Sequence, residues 1–170
     1  VRNWLSAEGS AKEIRHFEID LGDSDLSYEV GDALNVMPIN DADLVKALLA
    51  YFSLPADSVL DGQEQPLGEL LTYKYEISTP SKELIAAVEK IADHDAFSHV
   101  FKNGDKEALA DFLWAKDILD LLQLTEKVSF TAEEFLSLLK PLQHRAYSIS
   151  SSVNKHPGSV HLTVAAVRWS

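Results

Sequence analysis

The sequence contains no cysteine among its 170 residues. This absence excludes disulfides, thiolate nucleophiles, iron–sulfur ligation and cysteine zinc sites, and it fits a reducing cytoplasm, which is the expected location. No apolar run approaches the roughly 20 residues that a membrane-spanning helix needs. Neither a Gly-x-Gly-x-x-Gly nor a Walker sequence occurs among the seven glycines. The common glycine-rich phosphate loops are therefore excluded.

The chain is acidic overall, but its charge is unevenly placed. The formal net charge is −12, and all 27 acidic residues lie before position 140. Such an acidic body repels nucleic acid and anionic membranes, so neither is expected as a partner. The segment from Lys140 onwards carries cations and no carboxylate. That segment could hold an anionic ligand, although chance in a short stretch explains the pattern equally well.

Alternating apolar and polar residues, and a short apolar run at residues 33–39, predict strands near both ends of the chain. The first two cover residues 12–21 and 33–39, and the last two cover residues 145–152 and 160–169, with a hairpin loop at 154–158. Turn-forming Gly and Asp residues separate the first two strands. The ends of the chain are therefore predicted to form antiparallel β structure.

The middle of the chain follows a helical period instead. Apolar residues recur at helical spacing in four stretches between residues 41 and 139. The predicted helix starts lie at Asn40 or Asp41, at Thr79 followed by Pro80, at Asp105, and at a Thr131–Glu134 capping box. The third stretch is expected to break near Ala115. We therefore expect a small helical bundle.

This order predicts an α+β fold in which a helical segment interrupts a β unit. Residues 1–40 and 140–170 would form two parts of one antiparallel β-barrel or sheet, because the terminal strands must meet across the insertion. Residues 41–139 would form an inserted all-helical subdomain. A ligand crevice often forms where such an insertion leaves the barrel.

Residues 145–152 carry the most informative chemistry. Strand alternation places Arg145 and Tyr147 on the same face. The planar guanidinium of arginine suits a phosphate, and a tyrosine ring can stack on a flat heterocycle. Together they match a ligand that has both groups. The alternative is a hydroxyl-rich strand that is simply exposed on one side, and for an isolated arginine or tyrosine that alternative is the more common one.

The order Arg145-Ala146-Tyr147-Ser148, followed by Ile-Ser-Ser-Ser, resembles the Arg-x-Tyr-Ser motif of ferredoxin-reductase-type FAD domains. The longer motif is similar to that of the diflavin reductases, which include NADPH–cytochrome reductase and the sulfite reductase flavoprotein subunit. Residues 15–26, 31–41 and 160–169 also resemble segments of that family. The resemblance covers essentially the whole chain, and the sulfite reductase branch or a nitrate reductase partner looks closest.

The resemblance implies the cofactor FAD and a role for each matching residue. Arg145 would compensate the pyrophosphate, Tyr147 would stack on the isoalloxazine, and Ser148 would lie near the reactive edge of the flavin. Strict alternation turns Ser148 to the opposite face, so that contact needs a strand end or the backbone N–H. The remaining expected contacts are Ala146 in the same motif and Thr163, Val164 and Ala165 on the next strand.

Two further contacts implied by the resemblance are weaker. Trp169 stands where many relatives have tyrosine, and its larger ring puts that contact in doubt. Thr79 corresponds to a helix-entry threonine that touches FAD in the sulfite reductase branch, but a simple helix cap is the stronger interpretation. No metal ligands and no catalytic side chains are expected in this chain.

The family resemblance also implies a function. Its members pass electrons from NADPH through FAD to FMN and then to a haem or metal protein such as the sulfite reductase hemoprotein. We expect the FMN and NADPH domains to lie before and after this chain, and this chain alone to be inactive. The alternatives are a reductase with another acceptor, such as nitrate reductase, and a fragment that acts only as an interaction scaffold without bound flavin.

Overall fold

The computed structural model describes residues 2–167 of the chain. These residues fall into two compact units. One, here called the strand unit, is formed from residues 1–37 and 144–170, and the other, the helical unit, from residues 38–143. The expected division at residues 40 and 140 lies close to these bounds. The roles assigned to the two parts stay predictions.

The strand unit contains two antiparallel sheets among the described residues. The strands are β1 (Arg2–Trp4), β2 (Glu13–Asp20), β3 (Ala33–Val36), β4 (Arg145–Ser148) and β5 (Ser159–Ala166). The first sheet has the order β1-β2-β5, and the second pairs β3 with β4. In both sheets a strand from the beginning of the sequence pairs with one from its end.

The longest ladder joins β2 to β5 over the full length of both strands. Glu13 pairs with Ala166 at one end, and Asp20 pairs with Ser159 at the other. Val160 and Leu162 of β5 are buried, at 2% and 3% exposure. These two positions share a face, as strand alternation requires, and they form the apolar centre of this unit.

Seven helices are described in the helical unit. They are α1 (Ala42–Phe52), α2 (Leu67–Tyr73), α3 (Lys82–Ala92), α4 (Asp95–Lys102), α5 (Lys106–Leu113), α6 (Ile118–Leu122) and α7 (Ala132–Leu138). Their buried side chains form one apolar core, which includes the fully buried rings of Phe97 and Phe135. No helix in the described part of the chain is long and apolar enough to cross a membrane.

Most of the predicted helix starts are confirmed. The side chain of Asp41 caps α1, and that of Asp105 caps α5, each by accepting two backbone N–H groups. The capping box of Thr131 and Glu134 opens α7. The expected break is also present, because α5 ends at Leu113 and Ala115 adopts a positive φ of 59° before α6 begins.

The predicted cap at Thr79 is wrong. The cap of α3 is Ser81, whose Oγ accepts the N–H of Leu84 at 2.9 Å. Thr79 is exposed and lies in a turn where its own N–H is donated to Oε1 of Glu76. Pro80 therefore precedes the cap instead of opening the helix.

Asn40 shows how the helical unit brings its own two ends together. Its buried side-chain amide donates to the carbonyl oxygens of Leu71 and Tyr75, each at 2.6 Å. From the other end of the unit, Leu142 donates its N–H to the carbonyl of Lys74 at 2.7 Å. The first and last segments of the unit thus bind the same short stretch, which comprises the end of α2 and the two residues after it. The expected mixture of antiparallel strands and helices is confirmed.

The cap of α3 can be tested by two matched substitutions. Ser81→Ala should lower the free energy of unfolding of the helical unit by about 1–3 kcal/mol, because it removes the cap and leaves the carbonyl of Leu138, to which Ser81 Oγ donates, without this donor. Thr79→Ala should change it by less than about 0.5 kcal/mol. Urea denaturation measures both, and a larger loss for the Thr79 variant would contradict this cap assignment.

Candidate functional site

Arg145 and Tyr147 lie on one face of the β3–β4 ladder. The register pairs Val36 with Arg145 and Leu34 with Tyr147. Directly opposed residues of an antiparallel pair project their side chains to the same face. The two residues that carry the motif therefore share a face with two apolar side chains. We call these four residues the motif face.

The motif face is open to solvent at its charged end. Arg145 is exposed, whereas Tyr147, Leu34 and Val36 are half-buried. The opposite face carries Ala146 and Ser148, which are both exposed. A cation therefore stands at one end of a strip whose remaining members are apolar or aromatic. This arrangement suits a ligand with a charged part and a flat apolar part.

Ser148 lies at the end of β4. The next residue, Ile149, donates its N–H to the carbonyl of Asp32 at 3.0 Å and forms an isolated antiparallel bridge with Leu162 of β5. Ser148 is therefore the last residue of its strand, which is the position that a contact between its side chain and the flavin ring requires. That contact itself stays a prediction.

The hydroxyl groups after the motif serve the fold. Both N–H and Oγ of Ser150 bond to the carbonyl of His161, at 2.9 and 3.1 Å. Oγ of Ser151 accepts the N–H of His161 at 3.1 Å and lies 2.7 Å from the hydroxyl of Tyr28. That hydroxyl in turn donates to the carbonyl of Ser159 at 3.1 Å. One consistent chain of donors thus holds the serine segment against β5.

Tyr28 was missed by sequence reasoning. It lies between β2 and β3 in a segment that showed no strand or helix periodicity. Its hydroxyl reaches Ser151, which is 123 positions away in the sequence. Because such a contact depends on the fold, no local pattern could have indicated it.

Thr163, Val164 and Ala165 lie on β5, in the same unit as the motif. They pair with His16, Arg15 and Ile14 of β2. Thr163 and Ala165 are exposed, and Val164 is half-buried. β4 and β5 contact each other, so the structure brings these three residues and the motif into one region.

The two weaker predictions, Thr79 and Trp169, are not tested by the described residues of the strand unit. Thr79 belongs to the helical unit and not to the strand unit. It is exposed there, so its side chain is accessible to solvent. Trp169 lies outside the described residues. A role in cofactor binding stays a prediction for both.

A pocket of about 160 Å³ lies in the strand unit, lined in part by Leu34, Ile149 and Val160. Leu34 and Ile149 extend the motif face towards this pocket, since Ile149 follows Tyr147 by two strand positions. Pockets for whole small-molecule ligands usually enclose about 300–1,000 Å³. The candidate site is therefore the open motif face, and the pocket can hold at most a small part of a dinucleotide.

Comparisons with known proteins agree with the motif. A family model described as "FAD binding domain" matches residues 1–170. The chain is 36% identical over 169 residues to the sulfite reductase (NADPH) flavoprotein alpha-component of Bacillus subtilis (strain 168), covering 97% of this chain and 28% of that protein. It is 37% identical over 167 residues to the protein of the same name from Vibrio cholerae serotype O1, covering 97% and 27%.

A third relative, from Escherichia coli O157:H7, carries the same name and is 33% identical over 171 residues. These findings confirm the resemblance indicated by the motifs, and the family match supports FAD as the cofactor. The chain spans about 28% of the length of these relatives. What their names say of reductase activity therefore applies here only as a proposal.

The donor chain through Tyr28 can be tested with Tyr28→Phe, which removes only the hydroxyl. It should reduce the protection of the His161 and Ser150 amides against hydrogen exchange by about 0.5–1.5 kcal/mol, the usual net worth of a hydrogen bond. Tyr73→Phe is the matched control, because Tyr73 is 50% exposed in the helical unit. Unchanged protection in Tyr28→Phe would contradict the assigned role.

Proposed function

The chain belongs to the family of FAD binding domains, and from this premise we propose that the motif face holds FAD within an NADPH-dependent flavoprotein reductase. The observation that carries the proposal is the shared face of Arg145 and Tyr147 beside Leu34 and Val36. It offers a cation for a phosphate and a half-buried ring for a flat heterocycle. The phosphate and the flat ring of one ligand could thus contact two residues that lie two positions apart on the same strand.

Arg145 is proposed to bind the pyrophosphate. Its guanidinium presents several N–H donors in one plane. It lies in residues 140–170, a segment of the sequence that contains no Asp or Glu. Arg145 is exposed on β4, so a phosphate can approach it from solvent.

Tyr147 is proposed to stack on the isoalloxazine. The ring is held by its strand and half-buried, so little freedom is lost when a ligand covers it. Leu34 and Val36 lie across the ladder and would exclude water from the same face. The pairing of aromatic and aliphatic side chains favours a flat, weakly polar ligand.

The remaining contacts follow from position in the strand unit. Ser148, at the end of β4, is proposed to lie near the reactive edge of the ring. Ala146, two positions earlier on the same strand, is proposed as a further contact. Thr163, Val164 and Ala165 are proposed to contact the cofactor from β5, which touches β4. Thr79 and Trp169 are kept as further candidate contacts.

The proposed reaction is the transfer of electrons from NADPH to an acceptor protein. Bound FAD would supply the chemistry, by accepting a hydride and passing electrons on singly, while the chain binds and orients it. The relatives are sulfite reductase flavoprotein components. By analogy we propose FMN-binding and NADPH-binding domains in the same parent protein, and a haem or metal protein such as the sulfite reductase hemoprotein as the acceptor.

We also propose that the two sheets form part of an antiparallel barrel of the FAD-binding reductase type. The direct link between them is the bridge from Ile149 to Leu162. The helical unit would then be the connecting subdomain inserted into that barrel. Its closed apolar core and its own paired ends support an independent subdomain.

The role of Arg145 is tested by Arg145→Ala. FAD should bind about 1.5–3 kcal/mol more weakly, which is the usual worth of a hydrogen bond to a charged group. Lys155→Ala is the matched control, because it removes an exposed cation from the same unit without touching the motif face. Quenching of FAD fluorescence gives both affinities. Equal affinities in the two variants would count against the pyrophosphate assignment.

The role of Tyr147 is tested by comparing Tyr147→Ala with Tyr147→Phe. The first removes the ring and should cost about 0.5–1.5 kcal/mol of FAD affinity, whereas the second keeps it and should bind nearly as well. The visible spectrum of bound flavin provides an independent readout of stacking. If both variants bound FAD like the wild type, the ring would have another role, and if the wild-type chain bound no FAD, the scaffold alternative would replace this proposal.

A further inference from the structure

Three ligand-bearing side chains, none of which belongs to the motif face, converge on one surface of the β2–β5 ladder. They are His16 and Glu18 of β2 and His161 of β5. One ligand atom from each lies within 4.8 Å of those of the other two. No metal ligands are expected from the sequence alone. The three residues lie on β2 and β5, which are far apart in the sequence, and only the pairing of these strands brings them together.

The strand register explains the cluster. Glu18 is the direct partner of His161, and His16 precedes Glu18 by two positions on the same strand. Residues two apart on a strand share a face, and the diagonal neighbour across the ladder is within reach of a long side chain. The two imidazoles accordingly meet edge to face, with ring centroids 5.1 Å apart. The ladder itself therefore fixes the spacing of the three groups.

The cluster is close to the size that a bound cation requires. Three atoms no more than 4.8 Å apart all lie within about 2.8 Å of a common point. Zinc is bound at about 2.0–2.2 Å by imidazole nitrogen and carboxylate oxygen, so shifts of less than about 1 Å would complete the site. Nε2 of His16 and Oε1 of Glu18 are already 3.6 Å apart, which is near the separation of two ligands in a tetrahedral site.

The access and chemistry of the three groups also suit a cation. His161 is buried, whereas the side chains of His16 and Glu18 are 22% and 37% exposed, so an ion can reach the cluster from solvent. Two imidazoles and one carboxylate are ligands that zinc and similar divalent transition ions prefer over calcium or magnesium. We propose that His16, Glu18 and His161 form a binding site for a divalent transition-metal ion, with zinc as the representative.

A fourth ligand position is available beside the cluster. His156, in the loop before β5, has its ring centroid 4.3 Å from that of His161. It is half-buried and is the candidate for the fourth ligand. Otherwise a water molecule takes the fourth position, as in zinc sites with three protein ligands. With His156 bound, the ion would tie this loop to the β2–β5 ladder.

The zinc site can be tested without FAD, because none of its three ligands is a proposed FAD contact, although His16 is the ladder partner of Thr163. The probe is zinc chloride added to the purified chain without an affinity tag and without FAD. We expect binding of one ion per chain in competition with a chromophoric chelator, and a higher melting temperature in excess zinc, because binding to the folded state stabilises it. Cobalt(II) should give the visible absorption of a four-coordinate site.

The ligands are tested by His16→Gln and Glu18→Gln, both at partly exposed positions. Each should weaken zinc binding by more than about 100-fold, because the loss of a residue that only orients a ligand already costs about 10–100-fold. His161→Asn is a third variant, but its position is buried and circular dichroism must first show that it folds. His144→Gln and Glu29→Gln are the controls, since both residues are exposed, lie in the same unit and are outside the cluster.

Two results would overturn the proposal. One is the absence of saturable zinc binding by the wild-type chain. The other is zinc binding that does not depend on the assigned ligands. It would be shown by a loss of affinity in the His144 or Glu29 control as large as in the ligand variants, or by unchanged affinity in both His16→Gln and Glu18→Gln. In either case His16, Glu18 and His161 would be only a polar cluster on the sheet surface.

Discussion

The pairing of β2 with β5 is the contact on which the strand unit depends. Its two strands come from opposite ends of the sequence, and the full-length register fixes every neighbour on both of them. Such non-local pairing is costly in chain entropy, and the helical unit reduces that cost by holding its own first and last segments to the end of α2 and the two residues after it. The candidate site exists because this closure brings β3 and β4 together as well.

The chemistry of the motif arises from a division of tasks along one segment. The serines that follow the motif form hydrogen bonds with His161 of β5 and, through the hydroxyl of Tyr28, are linked to Ser159 of the same strand. Arg145 and Tyr147 come before that anchor, on a two-stranded ladder that leaves the arginine exposed and the ring half-buried. The anchor fixes the strand, and the preceding residues are left to meet a ligand.

Features that depend on neighbours in the sequence could be predicted. The caps at Asp41 and Asp105 and the Thr131–Glu134 box are local hydrogen-bond patterns, and local patterns also placed four of the five described strands, whereas β1 (Arg2–Trp4) was not predicted. Pro80 after Thr79 suggests a first helical residue and so predicts a cap at Thr79, whereas in the structure Glu76 binds the backbone of Thr79 and Ser81 is the cap. The Tyr28 contacts and the cluster of His16, Glu18 and His161 could not be predicted, because both require the register between distant strands.

The central claim is that the motif face binds FAD, and amide chemical shifts measured during an FAD titration of the labelled chain test it most directly. If FAD binds the motif face, the amide chemical shifts should change most at residues 145–148 and at their partners in β3, and less at Thr163, Val164 and Ala165. Changes confined to the helical unit, or none at saturating FAD, would contradict the account.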